Sequence, residues 1–201
     1  MHEPPQHIEW VGDAATGHLR LLDQTRLPLE TEWLGCRDVD SVWSAIKRLA
    51  VRGAPAIGIA AAYGCVIGAQ ASDARAGLLA AADHLATSRP TAVNLFWALE
   101  RMKRTASGVR EDGELAAALL VEAKRIHDED RAACRAIGDH GLALLLELTG
   151  RRLQLLTHCN AGALATGGIG TATAPMYCAA ERGVPLTGLA DETRPLLQGS
   201  R

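Results

Sequence analysis

The fold class follows from residues 153–190, which read LQLLTHCNAGALATGGIGTATAPMYCAAERGVPLTGLA. The first six residues form a short apolar run, and its boundaries are typical of a buried parallel strand. A glycine-rich loop over 160–170 follows, and then a helix that ends near residue 182. Residues 184–190 can return as a second strand, so the stretch predicts one strand–helix–strand unit.

The region before this unit is predominantly helical. Apolar residues at helical spacing predict helices over 55–69 and 92–104. Asp40 and Ser72 are expected to cap two further helices. Aromatic residues make up only 3% of the chain. The core must therefore be built from Ala, Leu, Ile and Val, which favours closely packed helices.

The last helical stretch runs over 113–148, as one long helix or as two joined helices that bend at Gly138 and Gly141. At the other end of the chain, residues 8–10 and 18–22 are short enough for strands, with a Gly-Asp turn between them. Together these patterns predict an α/β chain that is mostly helical up to residue 149.

Two parallel strands do not make a sheet that can bury both faces, and they leave backbone edges unpaired. No further element follows the second strand. We therefore expect the sequence to be the front part of a longer protein.

Composition excludes several classes of protein. The chain of 201 residues is 48% hydrophobic and 22% charged, which excludes disorder. No apolar run approaches the roughly 20 residues that a bilayer span needs, and residues 1–5 lack a secretion-signal pattern. A formal charge of −2 gives no general attraction to nucleic acid. Five Cys residues at irregular spacing, with no CxxC pair, argue against disulfides and structural zinc and suit a reducing cytoplasm.

Residues 51–58, VRGAPAIG, are a candidate phosphate-binding turn. Pro55 suits the first turn of a helix, and Gly53 lets the backbone approach a ligand closely. Free amides at a helix start attract anions, and Arg52 adds a planar charged group that suits phosphate. The alternative is a tight turn between helices with a solvated Arg52.

Cys159 directly follows the first strand of the unit, where open α/β sheets place their sites. Its thiol could act as an acid, a base or a nucleophile, helped by exposed amides of the glycine-rich loop. The alternative is a buried structural cysteine. In an extended chain His158 points to the opposite side, so we interpret it as structural. The loop contains no GxGxxG, so support for a dinucleotide site is weak.

Two more segments carry polar groups near the predicted elements. Residues 191–199, DETRPLLQG, follow the second strand and reach the same sheet edge as Cys159. Arg89 precedes a helix start and could meet an anion. From the residues alone, 191–199 is interpreted as a solvated loop, with binding of a polyol or phosphate as the alternative, while Arg89 meets an anion or only faces solvent. The charge run 128–131 is interpreted as a solvated helix face.

Taken together, these segments resemble the methylthioribose-1-phosphate isomerase family of aldose–ketose isomerases. The resemblance covers essentially the whole chain, through five segments in the same order: 21–24, 51–58, 89–95, 157–166 and 191–199. It implies a helical N-terminal domain over 1–149, followed over 150–201 by the beginning of a Rossmann-like parallel-sheet domain. It also implies a homodimer, a small sugar-phosphate substrate, and no metal or nucleotide cofactor.

The resemblance also assigns residues to roles. Cys159 matches the catalytic cysteine, and five residues match substrate contacts: Arg52, Gly53, Ala54, Arg89 and Gln198. The family's second catalytic residue, an Asp, and an Asn-Lys contact lie beyond residue 201, so the chain alone is expected to be nearly inactive. The sequence leaves open a ribose-1,5-bisphosphate isomerase, a non-catalytic subunit like those of initiation factor 2B, and a non-functional remnant.

Overall fold

A computed structural model describes residues 5–150 and 152–199. The structure is α/β, and in chain order its elements are β1 (Ile8–Val11), β2 (His18–Leu22), β3 (Trp33–Cys36), α1 (Val39–Lys47), α2 (Ala54–Gly68), α3 (Ala74–Ala86), α4 (Val93–Gly108), α5 (Asp112–Thr149), β4 (Leu153–Thr157), α6 (Ala174–Glu181) and β5 (Leu186–Ala190). Within the described ranges, every helix is too short or too polar to cross a bilayer.

The chain packs as two compact units. The N-terminal unit comprises residues 6–128, and the C-terminal unit comprises the described residues 129–150 and 152–199 together with Pro5. The division falls inside α5, whereas the sequence predicted a domain boundary between residues 149 and 150. The reason is that the second half of α5 packs against the strands and helix that follow it, so it belongs with them.

The N-terminal unit opens with an antiparallel sheet in the order β1-β2-β3. The prediction of strands over 8–10 and 18–22 is confirmed. The third strand was not predicted, because its four residues include Gly35 and carry almost no pattern of their own. It is held by pairing with β2, where Leu19 lies opposite Cys36 and Leu21 opposite Leu34.

Helix α2 is the centre of the N-terminal unit, buried from Ala56 to Gly68. Helices α1, α3 and α4 pack around it. Small residues let the helices approach closely: a Cβ added at Gly68 would lie 2.4 Å from the Cβ of Ala81 in α3. The core of tightly packed small and aliphatic residues expected from the composition is therefore present.

The two predicted helix caps are wrong by a residue or two. Asp38, not Asp40, caps α1, since its carboxylate accepts a hydrogen bond from the Ser41 amide at 2.7 Å. Asp73, not Ser72, caps α3 by accepting from the Ala76 amide at 2.9 Å. In both cases the capping residue is the one whose carboxylate reaches an amide three residues on.

Asp23 lies just after β2 and is buried. Its carboxylate accepts hydrogen bonds from the Thr25 hydroxyl at 2.6 Å and the Thr25 amide at 3.0 Å, and it contacts Arg48 at 2.7 Å. Burial alone would raise the pKa of Asp23, but these partners together lower it. The ionised carboxylate thus ties the sheet to the end of α1.

The C-terminal unit contains the predicted strand–helix–strand motif. β4 and β5 pair in parallel, with Leu153 opposite Leu186 and Thr157 opposite Ala190. One sheet face packs on α5 and α6 through Leu142 and Cys178. The other face is open, since the opposed pair Leu156 and Leu189 is 67% and 60% exposed. The prediction that β4 is buried is therefore correct for one face only.

Helix α5 is one uninterrupted helix, which is one of the two forms that we predicted, and Gly138 and Gly141, where we expected a bend, lie inside it. These glycines instead face α6. A Cβ at Gly138 would lie 2.5 Å from the Cys178 sulfur, and one at Gly141 would lie 2.7 Å from Cγ of Pro175. Their lack of a side chain allows close packing of two helices.

Candidate functional site

A cavity of about 240 Å³ lies in the C-terminal unit, at the carboxyl ends of β4 and β5. The last residues of both strands, Thr157 and Ala190, contribute to its wall, as do Cys159 and Gln198. The structure thus brings together two of the six predicted site residues. Parallel strands place ligands at this edge because their ends and the following loops converge there.

Cys159 is the exposed cysteine of the chain, whereas Cys36, Cys65, Cys134 and Cys178 are buried. The alternative of a buried structural thiol is therefore wrong. Its backbone adopts φ of +65°, in the left-handed region that favours glycine. A residue with a side chain is strained in this region, and such strain is concentrated at functional sites. The backbone thus places a thiol, and not a glycine, at the wall of the cavity.

His158 contacts Asp191 and not the cavity that its neighbour Cys159 lines. Its Nδ1 lies 3.3 Å from a carboxylate oxygen of Asp191, which directly follows β5. Both side chains are more than half exposed, so the pair contributes little to stability.

The glycine-rich loop is fixed by hydrogen bonds to its own amides. The Thr166 hydroxyl accepts from the amides of Gly168 at 3.2 Å and Gly170 at 3.1 Å. The Asp130 carboxylate accepts from the Gly167 amide at 2.6 Å. These three amides are engaged within the unit, so they are not the exposed donors that we expected to favour a thiolate at Cys159.

Asp130 corrects the interpretation of 128–131 as a solvated helix face. Burial raises the pKa of its carboxyl group, although the hydrogen bond from Gly167 opposes this shift. Arg131, the next residue, donates from Nε to the carbonyl of Gly167 at 3.0 Å. α5 thus holds the glycine-rich loop in place. The sequence gives no signal for this contact, because the partners are 37 residues apart.

Two cavity residues that the sequence did not single out come from around α6. Tyr177 lies in this helix, and Thr173 immediately precedes it. The Thr173 hydroxyl bonds to the carbonyl of Ile169 at 2.9 Å. A helix start that follows a strand and a glycine-rich loop is the signal that would have located both residues.

The remaining predicted site residues lie in the N-terminal unit. Gly53, with φ of +96°, occupies the N-cap position of α2, which begins at Ala54 and has no side-chain cap. Arg52 is only 4% exposed, so the alternative of a solvated arginine is wrong. A buried guanidinium beside uncapped helix amides is a suitable environment for an anion.

Arg89 is partly buried, three residues before the N-cap of α4. Its carbonyl accepts a hydrogen bond from the Ala92 amide at 3.0 Å, which forms the turn into the helix. Helices α2 and α4 pack directly against each other, and a Cβ at Gly58 would lie 2.9 Å from the carbonyl oxygen of Asn94. The helices that follow the two predicted substrate-binding segments are thus neighbours in one unit.

Across the part of the chain that the structure describes, no three His, Cys, Asp or Glu side chains converge as a metal site would require. The cavity wall around Cys159 instead offers a thiol, hydroxyls and side-chain amides. The thiol can give up or take up a proton, and the hydroxyls and amides can donate hydrogen bonds to oxygen atoms. They suit a polar, uncharged part of a ligand such as a sugar.

The chain is similar to known isomerases of sugar phosphates. The chain is 51% identical to a methylthioribose-1-phosphate isomerase of Rhodopirellula baltica, over 91% of the chain and 52% of the relative. It is 50% identical to a 5-deoxyribose 1-phosphate isomerase of Moorella thermoacetica, over 100% of the chain and 57% of the relative. The chain therefore spans about half the length of these relatives.

Two solved structures share the fold. One is a 5-methylthioribose 1-phosphate isomerase from Pyrococcus horikoshii, with a TM-score of 0.86 and 36% identity over 98% of this chain and 55% of that one. The other is the delta subunit of the translation initiation factor eIF-2B from A. fulgidus, with a TM-score of 0.84 and 40% identity over 98% of this chain and 57% of that one. A model of the initiation factor 2 subunit family matches residues 50–201, which is most of the chain, and the chain therefore belongs to that family.

Proposed function

We propose that this chain carries the sugar-phosphate site of an aldose–ketose isomerase that converts 5-methylthioribose 1-phosphate into 5-methylthioribulose 1-phosphate. The observation that carries the proposal is the position of Cys159, exposed at the carboxyl ends of two parallel strands and lining one cavity with Gln198. The names of the relatives from Rhodopirellula baltica and Pyrococcus horikoshii support the same substrate.

The reaction moves a hydrogen from C2 to C1 of the sugar while the phosphate stays on C1. The bond between C1 and the ring oxygen breaks, the ring oxygen gains a proton, and the C2 hydroxyl loses its proton to become a carbonyl. The change is redox-neutral and needs no external oxidant. It does need groups that supply and remove protons, and each such group contributes several orders of magnitude at most.

We assign the phosphate to the start of α2. Arg52, Gly53 and Ala54 offer a buried guanidinium and uncapped helix amides, and Arg89 adds a second positive charge in the same unit. We assign Cys159 to proton transfer at the reacting carbons or the ring oxygen, and Gln198 to a substrate contact. We propose, as the resemblance implies, that an Asp not among residues 1–201 is the second proton-transferring group, and we therefore expect very slow turnover by these 201 residues.

The test uses the accessibility of the thiols. Iodoacetamide should alkylate Cys159 selectively, because the other four cysteines are buried. 5-Methylthioribose 1-phosphate should slow this alkylation, as followed by mass spectrometry, and inorganic phosphate should slow it less. Equal alkylation with and without the sugar phosphate would refute a substrate site at Cys159. A Cys159→Ser variant controls for labelling elsewhere.

Proton transfer and hydride shift are distinguished with substrate that carries deuterium at C2. A chain extended to the length of the relatives should convert this substrate, and the label is then located by NMR. Complete loss of deuterium to solvent would reject a direct hydride shift. Full retention at C1 would favour it.

A second candidate is isomerisation of 5-deoxyribose 1-phosphate, favoured by the name of the relative from Moorella thermoacetica. The two substrates differ only at C5, so the same extended chain should be compared on both. A bisphosphate substrate is less suitable at Cys159, because no Lys or Arg lines that cavity within the described residues.

The likeness to an initiation factor subunit from A. fulgidus supports a non-catalytic role as the alternative. An assembly subunit has no need of an exposed thiol in a cavity, so absence of both protection and turnover would favour that role. We further propose a cytoplasmic homodimer. Light scattering coupled to gel filtration tests the dimer.

A further inference from the structure

The segment that follows β5, residues 191–199, is folded on its own side chains. One oxygen of Glu192, Oε1, accepts hydrogen bonds from the amides of Thr193 at 2.8 Å and Gly199 at 3.0 Å. The Leu197 amide donates to the carbonyl of Thr193 at 2.9 Å. The segment is therefore a closed loop whose two ends are joined by Glu192, and we call it the 191–199 loop.

Thr193 and Gln198 make two hydrogen bonds across this loop. The Thr193 hydroxyl donates to Oε1 of Gln198 at 3.0 Å and accepts from the Gln198 backbone amide at 3.2 Å. The side-chain oxygen of Gln198 is thus occupied. Its Nε2 makes no hydrogen bond to any residue that the structure describes, although Gln198 lines the cavity with Cys159.

A glutamine amide can rotate by half a turn with little change in shape, and this rotation exchanges a donor for an acceptor. Thr193 has one hydroxyl hydrogen, and the bond to Oε1 uses it. In the orientation that the structure gives, Oε1 faces the Thr193 hydroxyl, and the amide nitrogen is the free end. Gln198 consequently offers a donor, which matches an oxygen atom of a ligand.

We propose that Thr193 is a positioning residue that presents Nε2 of Gln198 to an acceptor oxygen of a sugar phosphate bound beside Cys159. The inference rests on the proposed function. In an aldose–ketose isomerisation, the oxygens on the reacting carbon atoms gain negative charge, and a donor fixed in advance stabilises that charge without reorganisation. A fixed amide donor beside Cys159 would therefore stabilise the negative charge that forms in the reaction.

The test measures binding of 5-methylthioribose 1-phosphate by calorimetry to the 201-residue chain and its variants. Thr193→Val removes the hydroxyl at nearly constant shape and should weaken binding about tenfold, the value of one well-placed hydrogen bond. Thr193→Ser keeps the hydroxyl and should restore most of the affinity. Thr187→Val is the matched control, because Thr187 is exposed on β5 and does not line the cavity.

Gln198→Glu gives a sharper result. Thr193 can still donate to one carboxylate oxygen, and the other oxygen then replaces the amide donor. An anionic sugar phosphate should therefore bind more weakly to Gln198→Glu than to Gln198→Ala. In the Gln198→Ala background Thr193→Val should have no further effect, since its only route to the ligand is removed.

Other outcomes would overturn the positioning role of Thr193, the contact of Gln198 with the ligand, or the proposed function. Normal binding by Thr193→Val, or equal weakening by Thr193→Val with and without Gln198→Ala, overturns the positioning role alone. Normal binding by Gln198→Ala overturns the contact that Thr193 is said to position, and leaves the proposed function intact. No binding by the unaltered chain, when its circular dichroism is that of a folded α/β protein, overturns both.

Discussion

Gly138 allows α5 to pack closely on α6, and Gly138→Ala is expected to destabilise the C-terminal unit. The added Cβ would lie 2.5 Å from the Cys178 sulfur and 3.0 Å from the carbonyl oxygen of Ala174. The second contact is with backbone, so rotating one side chain does not relieve it. α6 has to move away from α5.

Two effects of opposite sign decide the magnitude. Alanine is favoured over glycine inside a helix by about 1 kcal/mol. Forcing a methyl group into a packed interface costs about 1–3 kcal/mol, with the upper part of the range expected where backbone resists. The free energy of unfolding should therefore fall by about 1–2 kcal/mol. Gly113→Ala is the control in the same helix, since no atom lies within 4 Å of the added Cβ.

Urea denaturation followed by circular dichroism measures both variants. We expect Gly138→Ala to unfold at lower urea than the unaltered chain, and Gly113→Ala to unfold at the same or slightly higher urea. Cys178→Ala removes the sulfur that the new methyl group meets. It should therefore lower the free energy of unfolding less in the Gly138→Ala background than in the unaltered chain. A Gly138→Ala chain that is more stable than the original would show that the two helices are not packed as described.

Three further predictions concern carboxylates. Folding lowers the pKa of Asp23, so the ionised carboxylate stabilises the native chain at neutral pH, and this contribution is lost as pH falls through the lowered pKa. Asp23→Asn should therefore be less stable than the native chain at pH 7, and the difference should disappear in acid. Asp130 has the opposite sign: burial raises its pKa, so Asp130→Asn should be the more stable chain at pH 7 and lose that advantage as the native carboxyl group takes up its proton. Denaturant titrations between pH 7 and about pH 2 check both, with the Asp23 difference fading below about pH 4 and the Asp130 difference fading above it; parallel curves for variant and native chain over this range would contradict either. Asp38→Ala should lower the free energy of unfolding by about 1 kcal/mol through loss of the α1 cap, and Asp40→Ala should do so much less; equal effects would show that Asp38 is not the cap.

The sequence predicted those elements whose signal is local. The helix over 55–69 is apolar on every side and flanked by Gly53 and Pro55, and the structure shows it at Ala54–Gly68. The strand–loop–helix–strand pattern of 153–190 also appears as predicted, because a change of hydrophobic period marks each element. Cys159 was located by the same pattern, since the end of a strand defines the sheet edge.

Features that depend on distant partners escaped prediction. Strand β3 exists because it pairs with β2, and its own four residues barely favour a strand. Gly138 was interpreted as a bend, although its small size serves packing on α6. Asp130 was counted as a surface charge, although it binds an amide 37 residues away. In each case the deciding contact is made by a residue that the local pattern does not show.

The left-handed backbone of Cys159 sets the stability of the fold against the presence of a thiol at this position. Any side chain at that φ costs about 1–2 kcal/mol that glycine would not, even though glycine loses more entropy when the chain folds. A sequence selected only to survive heat would carry glycine at position 159. Under the proposed function, this backbone strain is the cost of holding a sulfur atom where the substrate binds.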